Sequence, residues 1–204
     1  MSTNMILYMQ RIEILVLAAG KSERFGRNKM LELIDGKEML KRVVEEALRS
    51  GAEVTVVVGH EREKVEQILK GINVKLVFNE DYQSGMSSSI KAGIRESTAD
   101  AIAILPGDMA FIQSDQIRAV IEEYKRTGAP IVVPTYHGRG GHPILFSSSL
   151  RGELLGITEE GRGLKEITAR HQNEIARIEL NTARILVDID YQNDIVLRRG
   201  EIQG

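Results

Sequence analysis

The chain has 204 residues, enough for one domain with a substantial core. Its 27 basic and 29 acidic residues give a formal net charge of −2, so no basic field invites nucleic acid. It has no cysteine, which removes disulfide scaffolds, thiolate metal sites and cysteine nucleophiles and fits a cytoplasmic protein.

The first apolar run, residues 5–9, is too short for a membrane span or a signal-peptide core. Residues 1–11 read as an N-terminal extension and residues 12–204 as a single domain with no membrane partner. A first strand is expected over residues 12–17. It runs into Leu17-Ala18-Ala19-Gly20-Lys21-Ser22-Glu23-Arg24-Phe25-Gly26, closed by Lys29. A strand ending in a glycine-bearing loop with embedded cations suits a triphosphate. Small residues let backbone N–H groups approach the phosphates, and the cations neutralise them. Gly20-Lys21-Ser22 looks like the end of a P-loop, but Leu15 stands where that loop needs its first glycine. A dinucleotide fingerprint fails at Ala18 and Glu23. The plainer alternative is a strand, a tight turn and a solvated charged loop.

A helix is expected over residues 38–50, with Met39, Val43, Val44, Ala47 and Leu48 on one face and Gly51 as its stop. Residues 54–58 read as a strand, 61–70 as a helix ended by Gly71, and 74–78 as a strand. The segment from Asn79 to Ser89 then opens a helix over residues 87–95. A helix N-terminus with Ser87, Ser88 and Ser89 behind Gly85 suits an anion or a base edge, or is simply a capped loop. Residues 101–105 form a strand that delivers Pro106-Gly107-Asp108 to the ligand edge of the sheet. A carboxylate there can hold Mg²⁺, or it can merely start a turn after Pro-Gly.

Residues 114–126 read as a helix with Ser114 as N-cap, and 131–134 as a strand. In Gly138-Arg139-Gly140-Gly141-His142-Pro143 the glycine pair and Arg139 suggest close backbone approach to a second substrate. His142 is otherwise a hydrogen-bonded loop residue. Residues 144–146 are apolar, Ser147 to Ser149 cap the next helix, and Gly161-Arg162-Gly163 opens a short helix over 164–170. Residues 174–180 alternate, and 185–189 form a last apolar run. It ends in Asp188-Ile189-Asp190, whose carboxylates share a face if the backbone is extended. They suit a metal, or one of them caps a helix starting near Tyr191. His60 and His171 read as surface or packing residues. Strands alternating with helices give βαβ units and a mostly parallel α/β sheet, with ligands at the strand C-terminal ends.

Taken together these residues resemble the nucleotidyltransferase superfamily related to the molybdenum-cofactor enzymes, above all its molybdenum cofactor cytidylyltransferase group. The family's Leu-Ala-Ala-Gly-x-Ser-x-Arg-Met/Phe-Gly-x-x-Lys opening matches Leu17 to Lys29. Its Gly-Met loop looks like Asn79 to Ser89, its Gly-Asp metal motif like Pro106 to Asp108. Its Gly-His-Pro matches Gly141 to Pro143, and its terminal Asp-x-Asp matches Asp188 to Asp190.

The resemblance implies a Rossmann-like three-layer sandwich of the nucleotide-diphospho-sugar transferase type. It implies Mg²⁺-dependent transfer of CMP from CTP to the terminal phosphate of molybdopterin, with release of pyrophosphate. Leu-Ala-Ala-Gly goes with CTP in this family and Leu-Ala-Gly-Gly with GTP, so Ala19 implies CTP. By the same resemblance Arg24 and Lys29 clamp the triphosphate, Leu17, Gly20, Lys21 and Ser22 line it, and Ala18 and Ala19 lie by the base. Asn79 and Ser87 contact base or ribose. Asp108 is the principal metal ligand with Asp190 as helper, and His142 and Arg162 face the acceptor. A transient contact with a molybdoenzyme is the implied protein partner. This chain has Pro-Gly-Asp where the cytidylyl group more often has Asp-x-Pro. It has Glu159-Glu160-Gly161-Arg162-Gly163 where the family has Gly-Asp-x-Gly-x-Arg. The rival readings are a sugar phosphate or other small phosphate as acceptor, and a non-catalytic nucleotide-binding delivery protein.

Overall fold

The structure is a computed structural model that describes residues 10–197. The apolar run at 5–9 and the tail at 198–204 lie outside the described residues. Among the described residues ten strands occur in chain order: β1 Ile12–Ala18, β2 Leu33–Ile34, β3 Lys37–Glu38, β4 Glu53–Val58, β5 Lys75–Phe78, β6 Ala101–Pro106, β7 Ile131–Tyr136, β8 Arg139–Gly140, β9 Ile144–Ser147 and β10 Ile175–Glu179. The α-helices are α1 Met39–Arg49, α2 Arg62–Ile68, α3 Met86–Glu96, α4 Ser114–Thr127, α5 Arg151–Gly156 and α6 Leu164–Arg170, and residues 194–197 at the end of the described chain are helical as well.

The main sheet runs β10-β7-β9-β6-β1-β4-β5, with β8 beside β7. Strand β1 is central and pairs in parallel with β4 and β6, and every residue of it is buried. A strand covered on both faces reads as a continuous apolar run rather than an alternating one. The alternation survives in the neighbours that each side chain meets. Ile12, Ile14, Val16 and Ala18 pack with residues of α1, α2 and α4, whereas Leu15, Leu17 and Ala19 pack with residues of α3, α5 and α6. Three layers result, as expected. Strand β9 runs antiparallel between β6 and β7 and is the exception in the main path.

Three local expectations are corrected. Ser114 is the first helical residue of α4, not its cap. Gln113 holds the cap position, and its N–H donates to Gln116 Oε1 at 2.9 Å. The apolar run at 185–189, whose end would put both carboxylates on one face if extended, pairs in no strand, and its first two residues belong to a 3₁₀ turn at Ala183–Leu186. Neither Asp188 nor Asp190 caps the turn that begins at Tyr191. Asp194 Oδ2 accepts the N–H groups of Asp190 and Tyr191 at 2.9 and 2.8 Å. Gly51 and Gly71, both at positive φ, do stand just past the ends of α1 and α2, and Ser147 Oγ does accept the Ser149 N–H. No helix among the described residues is long and apolar enough to cross a membrane.

The seam between α3 and β1 allows almost no side chain at position 93. A Cβ built on Gly93 would lie 2.2 Å from Leu15 Cδ1, and Leu15 is itself buried. Gly93→Ala gains about 1 kcal/mol in helix propensity but overpacks a closed core, at roughly 1–3 kcal/mol. The expected result is a net loss of about 1 kcal/mol, a fall in melting temperature of roughly 2–4 °C. A higher melting temperature would mean that Leu15 can swing clear.

Candidate active site

The loops that leave β1 and β6 start from the same edge of the sheet, because the two strands are parallel neighbours. Gly107 locks them together. Its N–H donates to the Leu17 carbonyl at 2.9 Å, and a Cβ there would stand 2.8 Å from that oxygen. Asp108 is thereby fixed beside the end of β1. The segment from Val187 to Asp190 closes the third side, with the Ile189 N–H donating to the Asp108 carbonyl at 3.2 Å.

Between these walls lies a cleft of about 690 Å³. Leu17, Ala19, Gly20, Lys21, Ser22, Glu23 and Arg24 line one side, Asp108, Asp188 and Asp190 the floor, and Tyr82, Gln83, Gly85, Met86 and Ser89 the far wall. Gly20 has nothing within 4 Å of where its Cβ would be, so ligand can reach its backbone directly. Ser22 holds a left-handed conformation at φ 56°, and its buried Oγ has no hydrogen-bond partner. A non-glycine residue in that region costs energy, and such residues cluster at functional sites.

The floor is an interlocked charge cluster. Lys29 Nζ donates to Asp108 Oδ2 at 2.7 Å, to the Ile189 carbonyl at 2.8 Å and to Asp190 Oδ1 at 3.1 Å. All three of its protons are used. Burial disfavours its charge, but Asp108 and Asp190 outweigh that, and the Lys29 pKa is raised. Arg24 pairs with the other oxygen of Asp190 at 2.7 Å and lies over the Tyr191 ring. Asp188 carries no ion pair among the described residues. Burial and the charges of Asp108 and Asp190 push its pKa up. Asp108 Oδ1 is buried and has no partner.

Of the residues expected at the site, the structure brings Leu17, Ala19, Gly20, Lys21, Ser22, Arg24, Lys29, Asp108 and Asp190 to the cleft. Five others lie elsewhere. Ala18 points into the core beneath α1, the opposite face from its neighbours. Asn79 is buried; its amide donates to Ser88 and Ser89 and its Oδ1 accepts from the Asp81 N–H, so it braces the loop and is not among the residues lining the cleft. Ser87 is buried as well, and its N–H is taken by Glu159. His142 does not line the cleft. Burial lowers its pKa despite a hydrogen bond to the Ile104 backbone and the charges of Asp108 and Asp188, and its Nδ1 has no partner. Arg162 sits on a turn at φ 62°, away from the cleft lining.

Of the serines expected at the helix N-terminus, Ser89 lines the cleft; sequence reasoning missed Tyr82, Gln83 and Met86, although they stand in the same segment. Met86 and Ser89 lie three apart in α3 and so share a face. That spacing, read back from Ser89, would have found Met86. Asp188 stands behind Asp190 in the sequence reading, yet it shares the floor. Two other histidines sit where expected: His60 lies near the Tyr82 ring, and His171 pairs with Glu153 and Glu174.

The model described as the MobA-like NTP transferase domain matches residues 14–175. The molybdenum cofactor cytidylyltransferase of Escherichia coli (strain K12) is 26% identical over 189 residues, 92% of this chain and 95% of that protein. The bifunctional protein GlmU of Caldanaerobacter subterraneus subsp. tengcongensis is 31% identical over 89% of this chain, which spans 39% of GlmU. Among solved structures, the Rv0371c homologue from Mycobacterium sp. strain JC1 has a TM-score of 0.82 at 25% identity, covering 93% of this chain and 96% of that one. A strand-ended loop of small and cationic residues facing a carboxylate floor is joined here by a domain match over most of the fold, and the chain is a nucleotidyltransferase belonging to the MobA-like NTP transferase family.

Proposed function

We propose that the chain transfers CMP from CTP to the terminal phosphate of molybdopterin, in the cytoplasm, with residues 12–204 acting as one domain. The observation that carries the reaction type is the Asp108 carboxylate, with one oxygen unclaimed, set across the cleft from the loop at 17–24. The acceptor is supported by the likeness to the Escherichia coli cytidylyltransferase over almost the whole of both chains. CTP is favoured by Ala19.

The residues present fit a divalent cation, and Mg²⁺ is the proposed one. Among the described residues no three acidic or histidine side chains form a metal cage. Mg²⁺ does not ask for one, since it takes one or two carboxylates and completes its shell with phosphate oxygens and water. Asp108 would be the first. The resemblance names Asp190 as the second, but both Asp190 oxygens are already paired with cations, whereas Asp188 makes no ion pair among the described residues. The Mycobacterium tuberculosis Rv0371c protein has been solved with manganese, which agrees with a hard-cation site in this fold. The bound ion would supply neutralisation of the phosphate oxygens.

The chain's own residues do the rest by positioning and charge. Gly20 and the neighbouring amides cradle the triphosphate, with Lys21 and Arg24 at its rim. An oxygen of the acceptor phosphate forms a bond to the α-phosphorus as the bond to the β-phosphate bridging oxygen breaks, and pyrophosphate leaves. The acceptor arrives as an anion, so no general base is required. Lys29 holds the two carboxylates in register while this happens. A molybdoenzyme that receives the product is the proposed protein partner.

Thermal melting with CTP, GTP, ATP and UTP, with and without Mg²⁺, tests the nucleotide. A ligand at 100 times its dissociation constant adds about 2.7 kcal/mol, roughly 5–10 °C for a domain of this size. The expected result is a shift selective for CTP and larger with Mg²⁺. A preference for GTP or ATP would overturn the Ala19 reading and keep the transferase. Pyrophosphate release with molybdopterin, and none with sugar or alditol phosphates, would fix the acceptor; the reverse pattern would replace it.

A further inference from the structure

Helix α3 has no side-chain cap of its own. Its N-cap position is Gly85, at φ 95°. That residue has nothing with which to accept a first-turn N–H group. The missing acceptor comes from far downstream, as Glu159 Oε1 takes the Ser87 N–H at 2.5 Å. The two positions share one space. A Cβ built on Gly85 would lie 2.6 Å from Glu159 Cδ, so glycine at 85 makes room for glutamate at 159.

Glu159 also belongs to a turn that holds itself together. The Thr158 carbonyl accepts the Gly163 N–H at 2.9 Å, and the Glu159 carbonyl accepts the Arg162 N–H at 3.0 Å. Thr158 Oγ1 accepts the Gly161 N–H at 3.1 Å. Such a turn docks or leaves as a unit. On the other side of the contact, Gly85 and Met86 line the far wall of the cleft.

We propose that Glu159 is a positioning residue for the nucleotide: by capping α3 it fixes the wall at Gly85 and Met86, and it seats the 158–163 turn against that wall. This rests on the reading of the cleft as a nucleotide site. It gives the family's altered motif a role on the nucleotide side, where the resemblance assigns it to the acceptor. A single carboxylate then couples the order of the turn to nucleotide affinity.

Two variants test it, Glu159→Ala, which removes the cap, and Glu159→Gln, which keeps an acceptor oxygen. Amide hydrogen exchange at Ser87 reads the cap directly. Calorimetric titration with CTP and Mg²⁺ reads the wall. Because Glu159 is an exposed residue and its bond to Ser87 only part-buried, the effect is moderate. In Glu159→Ala, Ser87 exchange should rise about 10-fold and CTP binding should weaken roughly 3–10-fold, the range of one lost cap. Glu159→Gln should recover most of both. Unchanged exchange in Glu159→Ala overturns the cap. Faster exchange with unchanged CTP affinity overturns the positioning role. A wild-type chain that binds none of CTP, GTP, ATP and UTP sinks the nucleotide reading itself and this role with it.

Discussion

Asp108→Ala is expected to leave a folded protein that has lost 10²–10³-fold or more in turnover. That is the scale on which one preorganised electrostatic group acts in a transition state, and it corresponds to about 3–4 kcal/mol of barrier. The fold should persist because Asp108 sits on a loop locked by Gly107, not by its own side chain. Lys29 keeps Asp190 and the Ile189 carbonyl as partners in the variant. Two readouts separate the causes. Pyrophosphate release should fall while the melting temperature stays within a few degrees. The part of the nucleotide-induced thermal shift that depends on Mg²⁺ should vanish. Turnover close to wild type would sink the assignment of Asp108 to the cation.

Lys29→Met should fail differently, in stability as well as in rate. The ammonium is the shared counter-charge of a floor in which Asp108, Asp188 and Asp190 repel one another. Breaking a buried pair by removing one partner costs about 3–5 kcal/mol. The Asp108 and Asp190 carboxylates are 18% and 23% exposed, so screening reduces the expected loss to roughly 1–3 kcal/mol. The sign with pH is set by Asp188. Its pKa is raised in the folded state, so its ionised form opposes folding, and that opposition fades as pH falls through the folded pKa. Without Lys29 the opposition grows. The melting deficit of Lys29→Met should therefore be large near neutral pH and shrink in mild acid. A deficit that does not change with pH would mean that methionine merely packs badly. Turnover should fall about 100-fold, since the carboxylates lose their register.

The legible and the hidden parts of this fold divide along a physical line. The elements carried by long apolar periodicity were legible: β1, β4, β6, α1 and α4 lie within a few residues of their expected bounds. So were residues on the loops after β1 and β6, because strand direction alone fixes which edge they occupy. Side-chain direction where a strand passes into its loop was not legible, because the motif does not say how far the strand runs. Ala18 and Ala19 are adjacent letters in one motif, yet the pleat sends them to opposite faces. Asn79 is a polar member of its segment, and its amide turns inward to brace a turn, while Ser87 is buried with its backbone N–H given to Glu159. The residues that meet the cleft there include the plainer Met86 and Tyr82. Lys29 was expected at the phosphates and is found among carboxylates, because spacing shows that a cation is present but not which anion it faces.

Strand β9 has one more consequence, for the order in which the molecule can be assembled. Strands β1, β4, β5 and β6 are neighbours of one another, and all lie before residue 107. In strand pairing among the described residues, β9 is what joins the β7–β10 pair to them. A nascent chain released as far as residue 143 therefore holds a contiguous four-stranded sheet, with β7 left to pair with nothing but the two residues of β8. The loop at 17–29 and Asp108 are in place by then, whereas Asp188 and Asp190 emerge about 80 residues after Asp108. Synthesis thus delivers the cradle first and closes its charged floor last.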